Sequence, residues 1–387
     1  MQHTKTQENQ RDVILRELDT FKKKDFTFSS GRILGSMCTQ PHPIAREAYI
    51  KFLDTNLGDP ELFPGTKELE THVIDFISEL LHAPKTAAGH VVSGGTEGNI
   101  TAMWTAKQIT GKKEVIIPES AHFSFDKITS LMEMKLISIP LDKNYCTDVQ
   151  KVRQKIGNNT AAVVGIAGST ELGTVDPLPE LSDICFDENI PLHVDAAFGG
   201  FVIPFLKQLH YDVPDFDFLL PGVSTMSIDA HKMGYSAIPL GTLLLREKQW
   251  LDDISVDSPY ISSEQQAGIL GTRSGGPVAA AYAVFRFLGE EGYKKVVDQC
   301  MNNTFYLEKQ ITEMGLSTVM KPTMNVLGIK LNNLSKIVKS LKEYGWRVNK
   351  IDRLSCIRIV MMPHVTKEVI DEFLPIFEKT CREVGEI

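Results

Sequence analysis

The spacing of apolar residues divides the chain into stretches of different character. Residues 11–24 carry apolar positions at helical spacing among charged ones and predict an amphipathic N-terminal helix. Residues 66–81 predict another, with Leu69, Val73, Phe76, Ile77 and Leu80 on one stripe. Beyond them the period changes. Short β-branched runs at 114–117, 136–139, 161–166, 190–194, 223–228 and 242–245 alternate with helical segments. A strand that is apolar without interruption is covered on both faces, so the alternation predicts a mostly parallel sheet in an α/β architecture. From about residue 276 the pattern shifts again. Helical spacing over 277–289 and 292–314 gives way to strand-like runs at 325–331, 346–351 and 356–361, which predict a small α+β unit. The expected division is an N-terminal segment (1–60), a large domain (61–275), and linking helices with a small C-terminal domain (276–387).

Composition narrows the class. The chain has 387 residues, 42% hydrophobic and 23% charged, enough for a sizeable core. A net charge of −8 argues against nucleic acid as the main partner, because phosphate-backbone binding needs a basic face. None of the six cysteines forms a C-x-x-C pair, which argues against a zinc ribbon or a thioredoxin-like site, and their scatter suits a reducing compartment. No leader-like apolar run opens the chain, and no long uncharged apolar stretch follows. The expectation is a cytoplasmic protein without a membrane span.

The chemistry-bearing residues sit where strands are expected to end. Lys232 follows the run 223–228, with His231 before it and Gly234 after. A lysine is ordinarily a solvated surface group, but one at the end of a buried strand can lose solvation and act as a Schiff-base amine. Asp195 ends the run His193-Val194-Asp195 and is followed by Ala196 and Ala197. It could simply cap the next helix. Ligands of open α/β sheets, however, bind beyond the carboxyl ends of the strands. Together, a lysine and an acid 37 positions apart suit pyridoxal phosphate (PLP), whose aldehyde takes a lysine and whose pyridine nitrogen takes an acid. Small Ala197 leaves room for a flat ring. Ser93-Gly94-Gly95-Thr96-Glu97-Gly98-Asn99 precedes a helical pattern and offers backbone N–H groups, a hydroxyl and a helix dipole to a phosphate. It matches neither a Walker A sequence nor G-x-G-x-x-G, so nucleotide binding is not supported. His122 follows another strand end and could stack on the ring, and Thr170 could hydrogen-bond the ring hydroxyl. Each element alone reads equally as a turn, a cap or a core residue. Their succession along one sheet does not.

These motifs resemble the group II PLP-dependent amino-acid decarboxylases, which include glutamate, aromatic amino-acid and cysteine-sulfinate decarboxylases. The resemblance rests on Ser93-Gly94-Gly95-Thr96-Glu97, Ala121-His122-Phe123-Ser124, His193-Val194-Asp195-Ala196-Ala197 and His231-Lys232. Gly35-Ser36-Met37-Cys38, Asn56-Leu57-Gly58-Asp59-Pro60, the turn from Gly168 to Thr174, Gly271-Thr272-Arg273 and Arg358-Ile359-Val360 resemble the archaeal L-tyrosine/L-aspartate decarboxylases in particular.

The resemblance implies a PLP-dependent transferase fold of type I. Its large domain would carry a mostly parallel seven-stranded sheet, beside a small C-terminal α+β domain. It implies a homodimer with shared active sites acting on a small amino acid. Lys232 would be the Schiff-base lysine, Asp195 the partner of the pyridine nitrogen, and His122 the stacking ring. Gly95, Thr96 and His231 would hold the phosphate, and Thr272 would reach the phosphate of the neighbouring subunit. Tyr260 is the candidate proton donor and Arg358 the candidate carboxylate ligand, although a packed loop tyrosine and a salt bridge are the plainer readings. Asp229, an acid close to the expected phosphate, receives no role. Substrates implied are L-tyrosine, giving tyramine for methanofuran, and L-aspartate, giving β-alanine for coenzyme A. An aldol-type lyase related to sphingosine-phosphate lyase is the alternative. A transaminase or desulfurase would share the fold without this set of motifs, and an inactive regulatory relative would not need Lys232, Asp195 and His122 together.

Overall fold

The computed structural model describes residues 2–259 and 265–387, with nothing assigned to the side chains of residues 2–9. Helix α1 (Gln2–Lys22) is followed by α2 (Pro43–Lys51) and α3 (Pro64–Leu80), each of the latter two with proline in its first turn, where no N–H is needed. The central sheet is built from β1 (Ala88–Val92), β2 (Glu114–Pro118), β3 (Lys135–Ile139), β4 (Thr160–Ile166), β5 (Leu192–Asp195), β6 (Val223–Ile228) and β7 (Gly241–Leu245). Its spatial order is β1-β7-β6-β5-β4-β2-β3. Strands β3, β2, β4, β5 and β6 run parallel, while β7 is antiparallel to both neighbours. Strands β4 and β6 are buried end to end, as a sheet covered on both faces requires, with the hydroxyls of Ser224, Thr225 and Ser227 buried among the apolar residues of β6.

Between these strands lie α4 (Gly95–Thr110), α5 (Ser124–Met132), α6 (Val149–Lys155), α7 (Leu178–Asp187) and α8 (Ile203–Gln208). Helix α9 (Lys248–Asp253) and the short pair β8 (Val256–Asp257) and β9 (Gln265–Gln266) lead to α10 (Gly275–Glu313). The two helical patterns expected at 277–289 and 292–314 join in α10 through Gly289, whose φ of 56° lies in a region that glycine alone enters without strain. Strands β10 (Val326–Lys330), β11 (Asn349–Ile351) and β12 (Cys356–Val360) form an antiparallel sheet in the order β10-β12-β11, covered by α11 (Leu334–Glu343) and α12 (Lys367–Val384).

The seven-stranded and three-stranded sheets pack against separate apolar clusters. Leu34 belongs to the C-terminal one, packed with Leu307, Ile357 and Phe373, so the N-terminal segment completes that core. The link is also hydrogen-bonded, since Leu34 N–H and Gly35 N–H both donate to the carbonyl of Arg347. Residues 33–42 therefore run as a strap from the small sheet to the rim of the large one. His364 fastens it: its Nε2 faces the Ile33 carbonyl at 2.7 Å and its Nδ1 faces the Thr39 hydroxyl at 2.9 Å. A carbonyl accepts only, so Nε2 carries the proton and Nδ1 accepts from Thr39.

Candidate active site

The carboxyl ends of β4, β5 and β6, the head of α4 and the strap enclose a cavity of about 340 Å³. It is lined by Lys232, Asp195, His122, Gly95, Thr96, Thr170, Ala197 and His231, so eight of the residues singled out from sequence meet in one place. Met37 of the strap, Phe198, Asp229 and Asn99 complete much of the wall.

Local structure explains why each side chain faces inward. Gly94 caps α4, and the Glu97 carboxylate reaches back to accept from Ser93 N–H at 2.6 Å, placing an acid in the first turn where the helix dipole favours it. The N–H groups that open α4 border the cavity, as an anion site at a helix N-terminus requires. A Cβ on Gly95 would stand 3.1 Å from the Ala197 methyl and 3.2 Å from Asp229 Oδ2, so glycine there keeps the backbone close to both. Gly168, at φ 100°, turns the chain after β4, and a Cβ there would lie 2.6 Å from Met324 Cε.

Asp195 is 7% exposed at the end of β5. Its carboxylate accepts from Ala197 N–H at 3.1 Å and from the Asn99 side-chain amide at 2.9 Å. Asn99, 1% exposed, is the hub of this region. Its Nδ2 also donates to Ser124 Oγ at 3.1 Å, and its Oδ1 accepts from Ser227 Oγ at 2.8 Å and faces His193 Nε2 at 3.0 Å. The Asp195 carboxylate can only accept, which fixes the amide orientation. His193 then carries its proton on Nε2 and accepts from the Thr225 hydroxyl on Nδ1 at 2.9 Å. Burial drives His193 down to about 4, so the ring is neutral at ordinary pH. Through Ser124 the network also reaches the start of α5, two positions after His122.

His122 accepts Ser124 N–H on Nδ1 at 3.2 Å and packs against Phe123 with ring centroids 4.1 Å apart. Burial lowers it below its ordinary value, against the pull of Asp195. Its neutral ring therefore has its proton on Nε2. His231 is held by its Nδ1 against the Leu240 carbonyl at 2.7 Å, which leaves Nε2 3.7 Å from Asp229 Oδ2. Lys232 Nζ lies 3.0 Å from the same Asp229 oxygen. Burial pushes the ammonium towards losing its proton, yet Asp229 and Asp195 outweigh that effect and hold Lys232 above its ordinary range.

Three residues singled out from sequence stand outside this cavity or beyond the described residues. Arg358, on β12, is 7% exposed and donates through Nη1 to the Thr170 carbonyl and through Nη2 to the Gly35 carbonyl. Its guanidinium thus ties the strap to the β4 turn, and it does not line the cavity. Thr272 is exposed in a turn anchored by Arg273, whose guanidinium pairs with buried Glu70 and donates to the Val91 carbonyl at 2.9 Å. Tyr260 lies outside the described residues. Sequence reasoning gave Asn99 and Asp229 no role. Asn99 ended a quoted motif, but its partners Ser124, His193, Asp195 and Ser227 are far from it in the chain. Asp229 lies only three residues from Lys232, and the spacing alone did not show that the two side chains meet.

A lysine amine, a carboxylate, an imidazole and a helix N-terminus converging at the carboxyl ends of parallel strands define the site of a PLP enzyme. The donor set fits the cofactor: the glycine cradle at Gly94-Gly95 suits a phosphate, and Asp195, already oriented by Asn99, suits the ring nitrogen. The comparisons agree. The chain matches the pyridoxal-dependent decarboxylase conserved domain over residues 42–327. It is 47% identical over 369 residues to an L-aspartate/L-glutamate decarboxylase of Pyrococcus horikoshii, covering 94% of this chain and 96% of that protein. It is 46% identical over 352 residues to a probable L-tyrosine/L-aspartate decarboxylase of Methanothermobacter thermautotrophicus, covering 90% and 97%. Among solved structures, the sphingosine-1-phosphate lyase of Burkholderia pseudomallei superposes with a TM-score of 0.89 at 27% identity, covering 96% of this chain and 90% of that one. The chain belongs to the pyridoxal-dependent decarboxylase family and is a PLP-dependent carboxy-lyase with the fold of type I PLP enzymes.

Proposed function

We propose that the protein removes the α-carboxylate of L-aspartate, of L-tyrosine, or of both, giving β-alanine or tyramine. L-aspartate is common to the names of both relatives above, and the reading takes it first. The observation that carries the site assignment is the convergence of Lys232, Asp195 and His122 on one cavity.

PLP, when bound, supplies an aldehyde and a ring that accepts the electron pair left behind as carbon dioxide departs. The chain does the rest. Lys232 would provide the amine that anchors the cofactor. Asp195 would hold a proton at the ring nitrogen, in the orientation Asn99 gives it. His122 would pack against the ring. The N–H groups at Gly95 and Thr96 would hold the phosphate with His231, and Thr170 would take the ring hydroxyl. Thr272, exposed and outside its own cavity, is assigned to the phosphate of a second subunit, so the working unit in this reading is a homodimer. Tyr260 is assigned the return of a proton to Cα. Arg358 enters as the strut between strap and β4 turn. The cellular setting proposed is cytoplasmic, in keeping with the lack, among the described residues, of any helix long and apolar enough to cross a membrane. The product would feed methanofuran or coenzyme A synthesis.

The deciding experiment incubates purified protein and PLP with L-aspartate, L-tyrosine and L-glutamate. It measures carbon dioxide and amine beside a Lys232→Ala control. β-Alanine or tyramine that disappears in the control supports the reading. γ-Aminobutyrate alone would replace the substrate assignment. No amine from any of the three, with cofactor bound, would favour the aldol-type lyase instead, a reading the Burkholderia likeness keeps in view.

A further inference from the structure

The carboxylate of Asp229 has a placement that the reading above does not use. It is 2% exposed, sits beyond β6, and stands against the backbone that opens α4. Glycines make the space for it: a Cβ on Gly241 would fall 2.6 Å from Oδ1, and one on Gly95 3.2 Å from Oδ2. Oδ2 meets Lys232 Nζ at 3.0 Å, whereas Oδ1 has no hydrogen-bond partner among the described residues. A carboxylate kept only for packing would have both oxygens satisfied, since an unpaired buried oxygen costs about 1–3 kcal/mol. This one is aimed at a single cation and lies where an incoming phosphate would find an unfavourable negative charge.

We propose that Asp229 is the counter-ion and proton partner of Lys232. It holds the amine as an ammonium in the resting pocket and takes up its proton when the amine has to act as a nucleophile. The transfer moves one proton from Nζ to Oδ2 along an existing contact. No other bond changes and no electrons are exchanged. Two opposite buried charges become two neutral groups, so the acid beside the phosphate cradle loses its negative charge in the same event. The inference rests on Lys232 being the cofactor lysine.

The other charged or titratable groups facing Lys232 are Asp195 from β5, Cys38 from the strap and His122 from the head of α5, with His231 beside it in the chain. Of these, Asp195 is the second carboxylate acting on the amine and is committed to Asn99 and Ala197, and Cys38 adds the smallest pull in the same direction. Removing the Asp229 charge therefore leaves burial to dominate, and burial favours the neutral amine.

The test labels the full-length chain, stripped of cofactor, with acetic anhydride across a pH series and reads the Lys232 peptide by mass spectrometry. In the unaltered protein Lys232 should acetylate at higher pH than the exposed lysines. In Asp229→Asn its midpoint should fall by about one unit or more, giving roughly tenfold faster labelling at neutral pH. Asp229→Ser, which removes the charge and the bulk, should move it the same way, and melting curves show that each variant is folded. Coincident midpoints in variant and parent, or a parent Lys232 that labels with or before the exposed lysines, overturn the proposal. Borohydride reduction of the PLP-loaded protein, followed by peptide mapping, tests the underlying reading separately. Cofactor fixed to another lysine removes Lys232 from its role whatever the acetylation shows, and cofactor fixed to Lys232 with an unmoved midpoint removes only the role of Asp229.

Discussion

Glu70 offers a quantitative test of how the turn carrying Thr272 is held. Its carboxylate is 1% exposed and meets three donors: Arg273, Lys67 at 2.8 Å, and Val91 N–H at 3.1 Å. Burial alone would raise it, but Arg273 and Lys67 prevail and bring it from 4.5 down to about 2. At 1.36 kcal/mol per unit this corresponds to about 3 kcal/mol of folding stability. The sign follows from the direction. An acid held below its unfolded value contributes fully above about pH 4.5, and the contribution drains away as pH falls towards about 2. Glu70→Gln should remove that contribution at neutral pH and leave the half-buried Arg273 without its carboxylate partner. The expected loss is about 3–5 kcal/mol, the usual result of breaking a buried pair from one side. Urea unfolding at fixed protein concentration, at neutral pH and again near pH 3, measures both. The gap between parent and variant should shrink in acid, because the parent is losing what the variant never had. Buried His193, lowered to about 4, loses stability between about pH 6.5 and 4 in parent and variant alike. His90, also lowered to about 4, is pulled up by Glu70 and pushed down by Arg273, so its own acid loss is somewhat larger in the variant and reduces the shrinkage of the gap. A gap that is equal at both pH values, or below about 1 kcal/mol at neutral pH, would refute the account of Glu70 as a buried, charge-paired acid.

Two further outcomes follow from the site. Asn99→Ala withdraws the amide from Asp195, His193, Ser124 and Ser227 at once and should cost on the order of 3 kcal/mol in urea unfolding. It should also weaken PLP binding in equilibrium dialysis, because Asp195 is no longer oriented; unchanged cofactor affinity would remove Asn99 from the positioning of that acid. Arg358→Met should lower the melting temperature and make the strap near Gly35 more sensitive to protease, since both bonded Nη atoms hold backbone carbonyls. A raised KM with an unchanged melting temperature would instead assign Arg358 to the substrate carboxylate.

Much of the scaffold was legible in the chain because buried parallel strands announce themselves. The run at 161–166 is built of small and apolar residues, and the one at 223–228 mixes Val223, Met226 and Ile228 with small hydroxyl residues that are also buried; each is covered on both faces, and both were read within a residue of β4 and β6. The residues at strand ends were legible for a related reason, because in this kind of sheet a polar side chain just past an apolar run faces the ligand crevice. Asp195, Lys232 and His122 stood out on that ground. Arg358 shows the limit of that reasoning. It lies on a strand of the small sheet, as expected, but its donors are taken by carbonyls at positions 35 and 170, and no local pattern could show a bond across so many residues.

What the sequence determined by itself was the order of elements, the fold class and the cofactor, together with a candidate set of groups for a PLP site. These depend on periodicity and on residue type at strand ends, which are local properties. Tertiary structure alone decided how those groups are held. Asn99 became the hub of Asp195 only because α4 packs beside β5 and β6, and Asp229 became the partner of Lys232 only because the glycines at 94, 95 and 241 leave space for a buried carboxylate. The Asn99 contacts arise because distant segments close on one another, and the Asp229–Lys232 pair, although only three residues apart, is buried in space left by glycines from two other segments. The orientation and charge state of a buried group are set by such neighbours and not by its place in the chain.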